Sequence, residues 1–109
     1  MVEVFQRFHF EAAHKLPQYP AVHGHSYTVE LWCQGPAVDG YVVPEHALME
    51  AGELIRKRLD HTLLNDVMET PTSENIARYI WRALEAQLPL SQVWVYRDTL
   101  GFGAVYRGG

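Results

Sequence analysis

The chain has 109 residues, 48% of them hydrophobic and 20% charged, a length and balance that fit one globular domain over residues 1–109 rather than a disordered or fibrous chain. Its formal net charge of −4 provides no electrostatic footprint for nucleic acid or an anionic membrane, so any phosphate-bearing ligand has to be met by a local cluster rather than by the overall field. The single cysteine, Cys33, excludes an internal disulfide, and neither a leader pattern nor a run of about 20 apolar residues is present, so the expected location is the cytoplasm.

In chain order, Val2 to about Phe10 reads as a strand, with Val4, Phe8 and Phe10 on one face and Glu3, Arg7 and His9 on the other. The prolines at positions 17 and 20 predict a loop over Leu16–Val22. His25–Gln34 alternates cleanly, with Tyr27, Val29, Leu31 and Cys33 sharing one face, and Gly35-Pro36 ends it. Asp39-Gly40 predicts a turn and Tyr41–Val43 a short extended piece. Pro44 suits the first position of a helix that runs to about Leu59 on a stripe of Ala47, Leu48, Ala51, Leu54, Ile55 and Leu59. LDHTLLND connects it to a second helix, capped by Thr72 or Ser73 and buried through Ile76, Ala77, Ile80, Trp81 and Leu84. Val93–Tyr96 and Gly103–Arg107 complete a ββααββ order. It predicts an α+β fold, an antiparallel four-stranded sheet with two helices on one face. The opposite sheet face would be left for assembly.

His23-Gly24-His25 is the sharpest local signal. Two residues apart on a strand, both imidazoles point to one side and can share a metal. His14, just beyond the first strand, would return beside them. Three neutral imidazoles leave one tetrahedral position open, the catalytic type of zinc site. An HxH also arises by chance, and His9 and His46 show that histidine is frequent here. Asp60-His61 is open to two readings on its residues alone, an acid/base pair or a charge pair at a helix end.

Taken together, FHFEAAHKL, VHGHSYTVEL, LDHTLLND, PTSENIARYIW and VYRDTLGFGAVYRG span nearly the whole chain, and it resembles the 6-pyruvoyl-tetrahydropterin synthase / 6-carboxy-tetrahydropterin synthase (QueD-like) family. The resemblance implies a tunnelling fold (T-fold), assembled as a homo-oligomer, a hexamer of two stacked trimers. It implies a zinc-dependent lyase acting on 7,8-dihydroneopterin triphosphate in queuosine or related pterin synthesis, with no nucleic-acid or membrane partner. His14, His23 and His25 match its zinc ligands, and Asp60 and His61 its acid/base pair. Asp98 falls where a glutamate anchors the pterin ring, and Thr72 in the segment that adds pterin contacts; a helix cap is the alternative for Thr72. Two positions depart from the pattern: Tyr19 stands where the family carries a cysteine four residues before the HGH, and Pro44 where it commonly has aspartate. Cys33 is no substitute, since eight residues of strand put it roughly 26 Å from His25. The chain is therefore expected to be either a lyase of the usual kind or a divergent relative with other pterin side-chain chemistry or a binding role.

Overall fold

A computed structural model describes all of residues 1–109. Strands β1 (Val2–Leu16) and β2 (Tyr19–Gly35) form a long antiparallel hairpin. Helix α1 (Glu45–Leu59) follows, then a two-residue strand β3 (Thr62–Leu63), helix α2 (Ser73–Leu84), and strands β4 (Leu90–Arg97) and β5 (Phe102–Tyr106). Strand order across the sheet is β3-β1-β2-β4-β5. The α+β class stands as expected. The four antiparallel strands gain a fifth, because Thr62 and Leu63 pair in parallel with Ala12 and Ala13. Asn65 continues that pairing through its side chain, accepting from Lys15 N–H at 2.9 Å and donating to Lys15 C=O at 3.0 Å. A side-chain amide carries the same donor and acceptor as a peptide unit, so it can extend a ladder the backbone has left.

The expected loop over Leu16–Val22 is instead the closed end of the hairpin. Only Pro17 and Gln18 lie outside the strands, and the ladder continues through Leu16↔Tyr19 and His14↔His23. Pro20 is tolerated there because it lies at the sheet's tip, where a lost N–H costs little. Tyr41–Val43 forms no strand and is held by a single bridge between Val38 and Tyr41. Pro44 is the cap residue of α1 rather than its first turn, and α2 ends at Leu84, before Pro89.

One core of nineteen residues fills the space between the helices and one sheet face. Phe8, Phe10, Tyr27, Val29, Leu31, Val93 and Val95 supply the sheet side, and Ile55, Leu59, Ile76, Ile80 and Leu84 the helix side. The alternation of β1 and β2 thus sends the predicted apolar faces inward; in α1 only Leu54 of the expected stripe is exposed, at 39%. α1 lies close on β1: a Cβ on Gly52 would come within 3.0 Å of Gln6 Oε1 and 3.2 Å of Phe8 Cδ1. No helix is long and apolar enough to cross a membrane.

The opposite sheet face carries stacked rings, Phe5 on Trp32 at 4.6 Å and Trp32 on Trp94 at 5.7 Å. Beside them Glu30, only 5% exposed, accepts from Tyr96 Oη at 2.6 Å, Trp32 Nε1 at 2.9 Å and Arg7 Nε at 3.2 Å. Burial pushes the Glu30 carboxyl up, but the donors together outweigh it and hold the group below its ordinary value. A carboxylate whose folded pKa is depressed adds stability above its unfolded pKa and loses it as pH falls through the folded one. Glu30→Gln should therefore lower stability at pH 7 by about 1–3 kcal/mol. Thermal melts should show the gap closing below the usual carboxylate range; a gap equal at pH 7 and pH 3 would refute this account.

Candidate metal centre

The hairpin register places His14 directly opposite His23, and His25 follows on the same face of β2. The three rings pack edge to face, with centroids 4.6, 4.9 and 5.0 Å apart. One ring nitrogen from each lies within 4.8 Å of the others. His14 is 2% exposed; His23 and His25 are half-buried.

Backbone carbonyls set the tautomer of two of these rings. His14 Nδ1 lies 2.9 Å from Pro71 C=O, and His23 Nδ1 lies 2.9 Å from Ala21 C=O. A carbonyl only accepts, so each Nδ1 carries its hydrogen, and in the neutral ring each Nε2 presents a lone pair. Those two Nε2 atoms face each other at 3.0 Å. Two lone pairs at that distance repel unless a cation or a proton sits with them, so the residues present fit a metal ion. Electrostatics agrees. Burial, then the neighbouring Arg97 and the other two histidines, pushes His25 down to about 4, which keeps it neutral near pH 7. Burial also lowers His14, against the opposing effect of its bond to Pro71. Tyr27 packs under the cluster with its Oη 3.3 Å from His14 Nδ1, and burial pushes its phenol up to about 12.

Asp60 and His61 follow α1. Asp60 Oδ2 accepts from His61 Nδ1 at 2.9 Å and from Arg56 Nη1 at 3.0 Å; its Oδ1 accepts from Glu11 N–H at 2.9 Å. That backbone N–H, then His61 and Arg56, holds the Asp60 carboxyl below its ordinary value. His61 adopts φ 57°, a left-handed conformation uncommon for a residue with a Cβ, and its N–H bonds Glu11 C=O. The strain is balanced by two anchors, one through the ring and one through the backbone. An open groove of about 570 Å³ is lined by Glu11, Gly24, His25, Ser26 and His61 among others, so His61 and one member of the histidine cluster, His25, border one space. Ser26 Oγ donates to Glu11 Oε1 at 2.6 Å on its wall.

The remaining expected positions lie apart. Thr72 caps α2, its Oγ1 accepting from Asn75 N–H at 3.2 Å, so its side chain has the capping job and meets the cluster only through the carbonyl of its neighbour Pro71. Asp98 is exposed and lines a second depression of about 310 Å³ walled by Trp94, Tyr96 and Phe102. Tyr19 is 66% exposed at the hairpin tip, and Cys33 lies at the far end of β2, opposite Val4, where burial pushes its thiol up to about 11.

Arg97 escaped the sequence reading. Its Nη1 lies 3.1 Å from His25 Nε2. Its place alternates with Val93 and Val95 on the inward face of β4, and a charged residue at an inward position was the available signal.

Residues 3–109 match the family described as 6-pyruvoyl tetrahydropterin synthase. The chain belongs to this family. It is 35% identical over 88 residues to a dihydroneopterin monophosphate aldolase of Pyrococcus furiosus, a match covering 79% of this chain and 77% of that one. It is 33% identical over 95 residues to a 6-carboxy-5,6,7,8-tetrahydropterin synthase of Synechocystis, covering 75% and 74%. The fold superposes on the 6-pyruvoyl tetrahydropterin synthase of Caenorhabditis elegans with a TM-score of 0.86, at 22% identity and over 99% of this chain and 96% of that one.

Proposed function

We propose that the chain is a zinc-dependent lyase that cleaves the side chain of a 7,8-dihydroneopterin phosphate. The observation that carries this reading is the convergence of His14, His23 and His25, with His14 Nε2 and His23 Nε2 3.0 Å apart, beside a groove that both His25 and His61 line. An all-nitrogen site of three imidazoles suits zinc and leaves room for a ligand. When bound, zinc would act as a Lewis acid toward the oxygens of the substrate side chain.

The remaining work falls to the chain. With Asp60 facing Nδ1 at 2.9 Å, the neutral His61 ring would carry its lone pair on Nε2, the form a general base needs. The absence of a thiol favours one of the two protons it could take. Elimination begins by removing a proton from carbon, and the position where the resemblance expects a thiolate holds the exposed Tyr19. Cleavage between the first two side-chain carbons begins by removing a hydroxyl proton, which a neutral imidazole can accept. The hydroxyl-bearing carbon becomes an aldehyde, the bond electrons pass into the pterin ring's C=N, and a proton returns to the ring-side carbon. A hydroxymethyl pterin and glycolaldehyde phosphate result, with no oxidant or reductant needed. The aldolase named in Pyrococcus furiosus supports this direction.

The synthase-named relatives favour a second reading, elimination of triphosphate from 7,8-dihydroneopterin triphosphate, with His61 as the base. Zinc-loaded protein incubated separately with the monophosphate and the triphosphate, with products identified by mass spectrometry, distinguishes the two. Glycolaldehyde phosphate supports cleavage; inorganic triphosphate supports elimination; no turnover of either refutes the enzyme. Asp98, at the rim of the aromatic depression, would accept hydrogen bonds from the pterin ring. The exposed aromatic face supports a homo-oligomer, with a hexamer as the expected size.

A further inference from the structure

We infer that Arg97 is the receptor for the phosphate of the substrate's side chain, and so selects phosphorylated over unphosphorylated pterins. The inference rests on the pterin reading above and adds a residue and a chemical group to it.

Arg97 is half-buried at the end of β4. Its one polar side-chain partner is His25 Nε2, at 3.1 Å, and its Nε is buried with no partner at all. The guanidinium also lies over the Phe102 ring, 5.7 Å from the centroid, a contact that satisfies no N–H. A guanidinium has five donors and accepts nothing. His25 Nε2 has one lone pair, and a metal ion held by the three histidines would take it. Arg97 would then be a half-buried cation with its Nη1 and its buried Nε both lacking acceptors, next to a second cation. Such an arrangement is costly unless an anion joins it.

The anion's chemistry follows from the donor. Planar, fixed N–H groups match the oxygens of a phosphate or carboxylate. Among these, a phosphate carries enough negative charge to offset a guanidinium beside a dication. The whole-chain charge of −4 offers no general attraction for it, so the interaction must be local. Arg97 also lines the aromatic depression that ends at Asp98, while its Nη1 reaches the histidine cluster. It therefore spans the two places where a ring and its side chain would sit.

The test is a cycle between ligand and protein. Neopterin and neopterin 3′-monophosphate, both fluorescent, are titrated into zinc-loaded wild type, Arg97→Met and Arg97→Lys, with zinc content and thermal melts recorded for each. In wild type the phosphate should raise affinity by about 10–100-fold; in Arg97→Met the gain should shrink to less than about threefold, with Arg97→Lys between. Inorganic phosphate should displace neopterin monophosphate from wild type. An equal phosphate gain in wild type and Arg97→Met overturns the assignment. Should Arg97→Met fail to fold, the same comparison with Arg97→Lys and the phosphate competition in wild type decide it. Equal binding of the two pterins to wild type overturns the Arg97 role alone, whereas no binding of either overturns the pterin reading beneath it.

Discussion

Replacing His14 by alanine is expected to reduce bound zinc from about one per chain to near zero, and turnover with it. His14 is the most enclosed of the three histidines, 2% exposed, with Pro71 C=O fixing one ring nitrogen and His23 Nε2 facing the other at 3.0 Å. Losing it leaves two imidazoles, too few for the three-ligand site that catalytic zinc uses. Loss of an outer hydrogen bond to a ligand already weakens metal affinity by about 10–100-fold, so loss of a ligand itself should exceed that. His23→Ala and His25→Ala should act alike, and as more exposed residues they test the ligand role with less damage to packing. His9→Ala is the control. Its ring bonds Thr28 Oγ1 at 3.1 Å and contributes no ligand to the cluster, so zinc should be retained. Elemental analysis after dialysis against trace zinc reads the result. Full zinc in the His14, His23 and His25 triple variant would remove the basis of the proposal.

The cluster was legible in the sequence because parity in a strand is a hard geometric rule: residues 23 and 25 had to share a side. His14 was harder. With a loop expected over Leu16–Val22, only a general return of the chain could bring it near. The hairpin instead makes it the cross-strand neighbour of His23, a more exact placement than a loop provides. Pro17 and Pro20 do not break the hairpin, because a sheet tip tolerates proline and pairing overrides local preference. The short β3 was invisible for a related reason. Two residues have no periodicity, and Thr62–Leu63 is extended only because Ala12 and Ala13 offer a free edge.

The apolar alternation of β2 and the stripe of α1 carried over well, since both report burial against a single core. Partners separated by many residues did not. Nothing local in LDHTLLND says that Asp60 will accept from Glu11 N–H, or that Asn65 will pair with Lys15. Both contacts join segments about 50 positions apart, and only the fold specifies them. The same holds for Pro71, whose carbonyl orients a histidine 57 positions earlier. The segment read as a source of pterin contacts is thus connected to the centre through its backbone.

His61→Ala should lower kcat by about 10²- to 10⁴-fold while leaving zinc content unchanged, the size expected when a positioned proton acceptor is removed. The ring is largely exposed and is not one of the grouped ligands, so neither packing nor metal should suffer greatly. The backbone at position 61 sets a further constraint. Its φ of 57° is less strained for glycine than for alanine, so His61→Gly should match or exceed His61→Ala in thermal stability while remaining equally inactive. That dissociation would separate the chemistry of the ring from the cost of its backbone. Asp60→Asn probes the orientation. One amide oxygen can still accept from Glu11 N–H, but the NH₂ then faces His61 Nδ1 and demands a lone pair there. The hydrogen is driven to Nε2, the atom the reaction needs bare, so kcat should fall toward the His61→Ala level although the imidazole is still present. Full activity in Asp60→Asn with His61 intact would mean that the pair is structural and that the proton goes elsewhere.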